Sequence, residues 1–359
     1  MQVPKLTIGQ FTFDKPIVQG AMGVRISSYP LPPMVANLGG WGMITTIGLG
    51  GDEAVHRDYP RISNEALVAE IERCCQLSTK PMAVNVMGAL SNVNDLIDTA
   101  VRSGIKIVVY GAGIPLDLPK LVPDLSVNLV PIVSSARLVR IILSRWAKKY
   151  QRLPAAFVLE GPLAGGHLGF NQYELDHPEI FNLKNILAEV LAVVRPYEQM
   201  FGQKIPVIVA GGILIADVPY WLSLGAAAVQ LGTLFVMTDE CPAAPEFKQA
   251  YLEAKPEDVH IIHSPVGLLG RVIHSPFLDK VAAGQVKIEC PYHCITSCEI
   301  KTARFCIARA LYNAKLGLLD DGLIFAGANV HLMDRIIPVS QLMAEIIEGI
   351  EASPLSLPS

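Results

Sequence analysis

The sequence predicts an α/β protein, a TIM (β/α)8 barrel followed by a small, mainly helical C-terminal subdomain. Three observations lead there. Eight short apolar runs recur across the first two-thirds of the 359 residues. Segments with helical period lie between them. Glycine gathers directly after the runs, at the end of the strands where a barrel of this kind builds its functional loops.

The runs occupy 16–22, 42–47, 81–87, 105–110, 128–133, 155–159, 206–210 and 227–231. Most are rich in Val and Ile and do not alternate with polar residues, which is the pattern of strands covered on both faces. Between them, 64–77 places Leu67, Ile71 and one of Cys74 and Cys75 on one helical face. Segment 135–150 aligns Leu138, Ile141, Ile142 and Trp146, with Arg and Lys opposite, and 183–200 has a similar period. Strands alternating with helices imply a parallel sheet with right-handed crossovers. Eight such units suit a closed barrel better than an open doubly wound sheet, which commonly has about five or six strands.

Composition narrows the class further. The chain is 51% hydrophobic and 17% charged with mean hydropathy +0.39, which excludes a disordered, solvating chain. No apolar run reaches the roughly 18 residues of a membrane span. The best stretch, 222–237, is interrupted by Ser223, Gln230, Thr233 and two glycines. The opening MQVPKLTIGQ has no apolar core of a signal peptide. A net charge of −4 and a pI near 6.1 argue against a nucleic-acid surface. Seven cysteines without a leader fit a reducing, cytoplasmic setting in which disulfides are rare.

The repeat stops near Met237. The expected organisation is therefore a barrel over 1–237, a helical, cysteine-containing subdomain or lid over 238–330, and a closing helix with its tail over 331–359, packed on the barrel. Helices are expected at about 243–254, 302–316 and 338–350.

Candidate site residues follow from the barrel frame. The first run ends Gly20-Ala21-Met22-Gly23, and Asn85 stands near the end of the third. The sixth ends at Glu160 and leads through Gly165 and Gly166 to His167. Gly211 and Gly212 follow the seventh run, and Gly232 and Thr233 the eighth. Loops after the last two strands of such barrels often bind phosphate, with bare amides and a helix N-terminus supplying positive potential. His167 alone among eight histidines lies in a glycine-flanked loop directly after a barrel strand. An imidazole there is a candidate proton acceptor near neutral pH. The other seven, His56 included, lack that setting.

Taken together, PIVQGAMG (16–23), GWGMIT (40–45), AVNVMG (83–88), AGGHLG (164–169), VIVAGGI (207–213) and GAAAVQLGTLF (225–235) resemble the nitronate monooxygenase family, once called 2-nitropropane dioxygenases. That family also includes the FMN-dependent enoyl-acyl-carrier-protein reductase II. The resemblance extends to FCIARALYNAKLG and GLIFAGANV within 305–330. It implies a cytoplasmic FMN-dependent oxidoreductase that holds the flavin without a covalent bond. Ala21, Met22 and Gly23 would lie by the isoalloxazine, and Asn85 and Glu160 would contact the ring or ribityl chain. Gly165, Gly166, Gly211, Gly212, Gly232 and Thr233 would hold the ribityl and phosphate, and His167 would be the histidine near the flavin. The implied reaction is oxidation of alkyl nitronates with O2. The second reading is an NAD(P)H-dependent reductase of an enoyl thioester or a quinone. Either way the partner is a small-molecule or thioester substrate, and a homodimer is one assembly the sequence allows. A G-x-G-x-x-G fingerprint is missing after the first run, which disfavours a Rossmann dehydrogenase. One departure stands out. Family members often carry an acidic or polar residue where Leu163 stands, so a less polar pocket edge is expected.

Four cysteines remain. Cys290, Cys294, Cys298 and Cys306 follow C-x3-C-x3-C-x7-C. Four thiolates can hold an iron–sulfur cluster or zinc, although the spacing matches neither standard pattern. Buried or redox-active thiols are the competing reading. Arg271 and Lys280 read as a solvated basic face, and Asn329 as a turn residue near the pocket edge.

Overall fold

A computed structural model describes residues 1–50, 58–290 and 292–358; His56 lies outside them. The eight runs all become parallel strands. They are β1 (Ile17–Gln19), β2 (Met43–Thr45), β3 (Ala83–Met87), β4 (Ile107–Gly111), β5 (Asn128–Val133), β6 (Phe157–Glu160), β7 (Val207–Ala210) and β8 (Ala228–Leu231). β2 through β7 each pair with the next strand in sequence, and β8 pairs with β1. The ring closes between β1 and the residue leading into β2. There Gln19 N donates to Trp41 O at 3.0 Å and Trp41 N to Ile17 O at 2.9 Å.

Why the runs do not alternate is now visible. Val18, Ala83, Ile107, Val109, Val130, Val158, Ile208 and Ala228 point into the barrel, with their alternate neighbours Val84, Val108, Leu129, Phe157, Val209 and Val229 packed beneath the helices. Successive strand residues face opposite sides, and here both sides are apolar. The N-terminal end is plugged by a hairpin, Leu6–Ile8 with Phe11–Phe13. Its Phe13 stacks on Trp41 with ring centroids 5.5 Å apart.

The helices fall where the period places them, with two refinements. Tyr59–Leu77 buries Leu67, Ile71 and Cys74, leaving Cys75 exposed. Ala136–Tyr150 is capped by Ser135, whose side chain accepts from Leu138 N. It buries Val139, Ile142, Leu143 and Trp146, whereas Ile141 is 40% exposed. The buried stripe is thus rotated by about one position from the expected Leu138–Ile141 row, because Val139, Leu143 and Trp146 complete a tighter i, i+3, i+4, i+7 face. Val93–Arg102, Leu31–Asn37 and Val218–Ser223 are helices that the periodicity did not single out.

The segment after the barrel carries helices Pro245–Glu253, Pro276–Ala282 and Ile307–Lys315. It also contains strands that a helical lid does not predict. Val259–His263, Leu269–Ile273 and Ile324–Phe325 form an antiparallel sheet. Its fourth member is Gly166–Leu168, which comes from the loop after β6 and pairs with Leu269–Ile273. This sheet couples the cap to the barrel mouth. The closing helix, Val339–Ala352, buries Val339, Leu342, Met343, Ile346 and Ile350 against Leu31–Asn37 and Val218–Ser223. Among the described residues, no helix is long and apolar enough to cross a membrane.

Candidate active site

Strand parity builds the site. Residues two apart share a face, so the inward set that includes Ala83, Val158 and Ala228 brings Asn85, Glu160 and Gln230 to the inner rim at the strands' C-terminal ends. Glu160 pairs with Ala210, and Ala210 with Gln230, in one row across β6, β7 and β8. Above this row opens a cavity lined by Ala21, Met22, Gly23, Asn85, Glu160, Gly165, Gly166, His167, Gly211, Gly212, Gly232 and Thr233. All twelve barrel positions singled out in the sequence therefore border one space. Gln230, Ser264, Tyr251 and Arg271 complete the machinery and were not singled out for it. Gln230 was legible by its parity with Ala228. The other three belong to the cap, and no local pattern assigns them to the barrel mouth.

The mouth loops are held by specific contacts. Ser27 Oγ accepts from Met22 N and donates to Gly20 O, both at 2.8 Å. Arg271 is buried, and its Nη1 donates to Pro162 O at 2.8 Å and to Ala164 O. It is an internal clamp on the β6 loop and not part of a solvated basic face. Lys280, by contrast, is exposed and paired with Asp321 at 3.0 Å. Asn329 lines the cavity and donates from Nδ2 to Gly212 O at 2.7 Å. Gly327 N donates to Thr233 Oγ1 at 3.3 Å, and Ala328 N to Leu163 O at 3.1 Å. The 327–329 segment thus ties the loops after β6, β7 and β8 together. Leu163 does not soften the pocket edge. Its side chain covers Gly212, 44% of it remains exposed, and it is not part of the cavity wall.

His167 is fixed from two sides. Its Nε2 is 2.7 Å from Ser264 Oγ, and its ring meets Phe325 edge-on at 4.9 Å. Burial pulls its pKa down to about 4, so the imidazole is neutral at pH 7. Burial acts in the opposite sense on Glu160, raising its pKa to about 7. Tyr251 donates its hydroxyl proton to Phe325 O, and burial pushes its own pKa well upward.

The flavin mononucleotide implied by the resemblance can be tested on these residues. Gln230 Oε1 is buried on the cavity wall with no hydrogen-bond partner, as befits an acceptor awaiting a ring N–H. None of the loop backbone hydrogen bonds among the described residues uses the amide of Gly211, Gly212, Gly232 or Thr233. Thr233 opens the short helix Thr233–Val236. Gly165 lies so close to the cap that a Cβ would stand 2.5 Å from the backbone of Ala326. An acceptor for the ring, free amides for a phosphate and a close-fitting cradle are all present, so the residues fit the group.

The four cysteines also come together, around a separate cavity. Among the described residues, no three His, Cys, Asp or Glu side chains are placed to hold a single metal ion. The expectation of a zinc site at these thiols therefore finds no support in the geometry.

Comparisons with known proteins agree with this architecture. A family model described as nitronate monooxygenase matches residues 92–349. Among curated proteins, the (3aS,4S,5R,7aS)-5-hydroxy-7a-methyl-1-oxo-octahydro-1H-indene-4-carboxyl-CoA dehydrogenase of Mycobacterium tuberculosis is 23% identical over 272 residues, covering 76% of this chain and 66% of that protein. A protein of the same name from Rhodococcus jostii is 24% identical, covering 74% of this chain and 64% of that protein. This chain thus spans just under two-thirds of the length of both relatives. A probable nitronate monooxygenase of Staphylococcus saprophyticus is 23% identical, covering 78% of this chain and 81% of that protein. Among solved structures, FabK from Thermotoga maritima has a TM-score of 0.72 at 24% identity, covering 94% of this chain and 93% of FabK. The nitroalkane oxidase of Streptomyces ansochromogenes has a TM-score of 0.71 at 19% identity, covering 94% and 96%. These two share the barrel. With the family model spanning well over half of its length, this chain belongs to the nitronate monooxygenase family.

Proposed function

We propose that the chain oxidises alkyl nitronates with O2 at the C-terminal mouth of its barrel. The observation that carries this reading is His167, an uncharged imidazole facing a largely apolar cavity and anchored to Ser264 at 2.7 Å. FMN, when bound, supplies the electron acceptor. The free amides after β7 and β8 would hold its phosphate, and Gln230 and Asn85 would contact the ring. His167 would orient the substrate and take the α-proton of a neutral nitroalkane, which gives the nitronate, a step that a neutral ring can perform and an imidazolium cannot. Apolar cap residues such as Val266, Ile307 and Leu311 close the cavity and exclude water from the reacting atoms. The seven free thiols fit a cytoplasmic setting.

A second reading is NAD(P)H-dependent reduction of an enoyl thioester or a quinone. The two carboxyl-CoA dehydrogenases among the relatives favour it. Anaerobic stopped-flow absorbance separates the two. Bleaching of the flavin by a nitronate, and not by NAD(P)H, is expected. Bleaching by NAD(P)H alone would select the reductase, and a chain that takes up no FMN would overturn both.

A further inference from the structure

Four thiols have no role in the function proposed above, although Cys294 also reaches the wall of the flavin cavity. Cys290, Cys294, Cys298 and Cys306 line a cavity of about 220 Å³ beside the barrel mouth. All four are free thiols, none in a disulfide. The rest of the wall is mainly apolar, led by Ile295, Ile300 and Phe305, and among the described residues no carboxylate lines it.

One sulfur is also met by a backbone donor, where His293 N donates to Cys290 Sγ at 3.4 Å. Hydrogen bonds to the sulfurs are among the contacts that set iron–sulfur potentials. The loop itself is anchored on the barrel, where Ser91 N donates to Cys294 O and Thr296 N to Ala89 O, both at 2.9 Å.

Geometry separates the metals. A single zinc needs its sulfurs within about 2.3 Å of one point, and no such grouping exists among the described residues. Thiols arranged around a cavity suit a multinuclear cluster, in which the iron–sulfide core fills the space and each corner takes one thiolate. We propose that Cys290, Cys294, Cys298 and Cys306 ligate a [4Fe–4S] cluster. Each Fe–Sγ bond forms as the thiol gives its proton to solvent, and two ferrous ions, two ferric ions and four sulfides make up the [4Fe–4S]2+ core without a net redox step. Cys294 and Ile295 line both this cavity and the flavin cavity, so the two sites share a wall. The assignment stands on the thiols and not on the reaction proposed above.

The test is iron and acid-labile sulfide analysis of the full chain purified without oxygen, with electron paramagnetic resonance after dithionite reduction. About four irons and about four sulfides per chain are expected. The Cys290→Ser/Cys298→Ser double variant should lose them while keeping its FMN content and far-UV circular dichroism. The proposal is overturned by one zinc per chain without sulfide, or by no iron even after reconstitution with iron and sulfide. Undiminished iron in the double variant would overturn it equally.

Discussion

His167 and Glu160 border the same cavity, and burial moves both away from the charged state, one pKa down to about 4 and the other up to about 7. The consequences differ. His167→Ala should lower kcat by about 10²–10⁴-fold, the range for a positioned proton acceptor, with FMN content unchanged. Steady-state kinetics beside the flavin spectrum check this, and unchanged turnover would remove the residue from the mechanism. For Glu160 the effect is on stability. The unfolded carboxyl ionises above its ordinary 4.5, whereas the folded one holds its proton up to about 7. The folded state is therefore penalised increasingly across that window and fully above it. Glu160→Gln should stabilise the fold by about 1–3 kcal/mol at pH 8 and leave it unchanged near pH 4. Thermal melts at the two pH values measure the difference, and an equal shift at both would refute the assigned burial.

At the scale of elements, the decisive unit is the short strand Gly166–Leu168. Periodicity makes it a loop, since three residues flanked by glycine carry no pattern. It becomes a strand because Leu269–Ile273 offers it an edge, with His167 opposite Gly270. Arg271 of that same strand reaches back to two carbonyls of the β6 loop. Arg271→Gln leaves at least one buried carbonyl unpaired, at a cost of about 1–3 kcal/mol. It should also raise KM more than it changes FMN binding, because the His167 loop loosens while the phosphate amides stay in place. Arg271→Lys should not restore the wild-type value, since a rotating ammonium cannot reproduce the planar guanidinium. Denaturant melts and KM for the wild type and both variants decide it.

At the scale of the molecule, barrel, cap and closing helix share buried surface. Met1 N donates to Glu351 O at 3.0 Å and to Ser353 O at 2.9 Å, joining the two ends of the chain. Helix Val339–Ala352 buries five apolar side chains. At about 1.5–3 kcal/mol each, their contribution is on the order of 10 kcal/mol, comparable to the whole stability of a typical domain. A chain ending at residue 337 should therefore fail to give a soluble protein with a cooperative melt; recovery of a wild-type melt would show that the helix is dispensable. The eight strands were legible in the sequence because local burial on both faces writes an unbroken apolar run. The glycines and His167 were legible because a barrel fixes which strand end faces its ligand. Gln230 could have been read by parity alone. Ser264, Tyr251 and Arg271 could not, because they reach the barrel mouth through a cap whose sheet joins distant segments, Leu168 with Leu269 and Val272 with Phe325. The spacing of the four cysteines marks them in the sequence, but only the fold brings them around one cavity. By itself, then, the sequence determined the barrel, its mouth and the site's inner wall, all set by short-range periodicity. The sheet within the lid and the clamp on the histidine loop were decided only by tertiary structure, because long-range strand pairing leaves no local pattern to read.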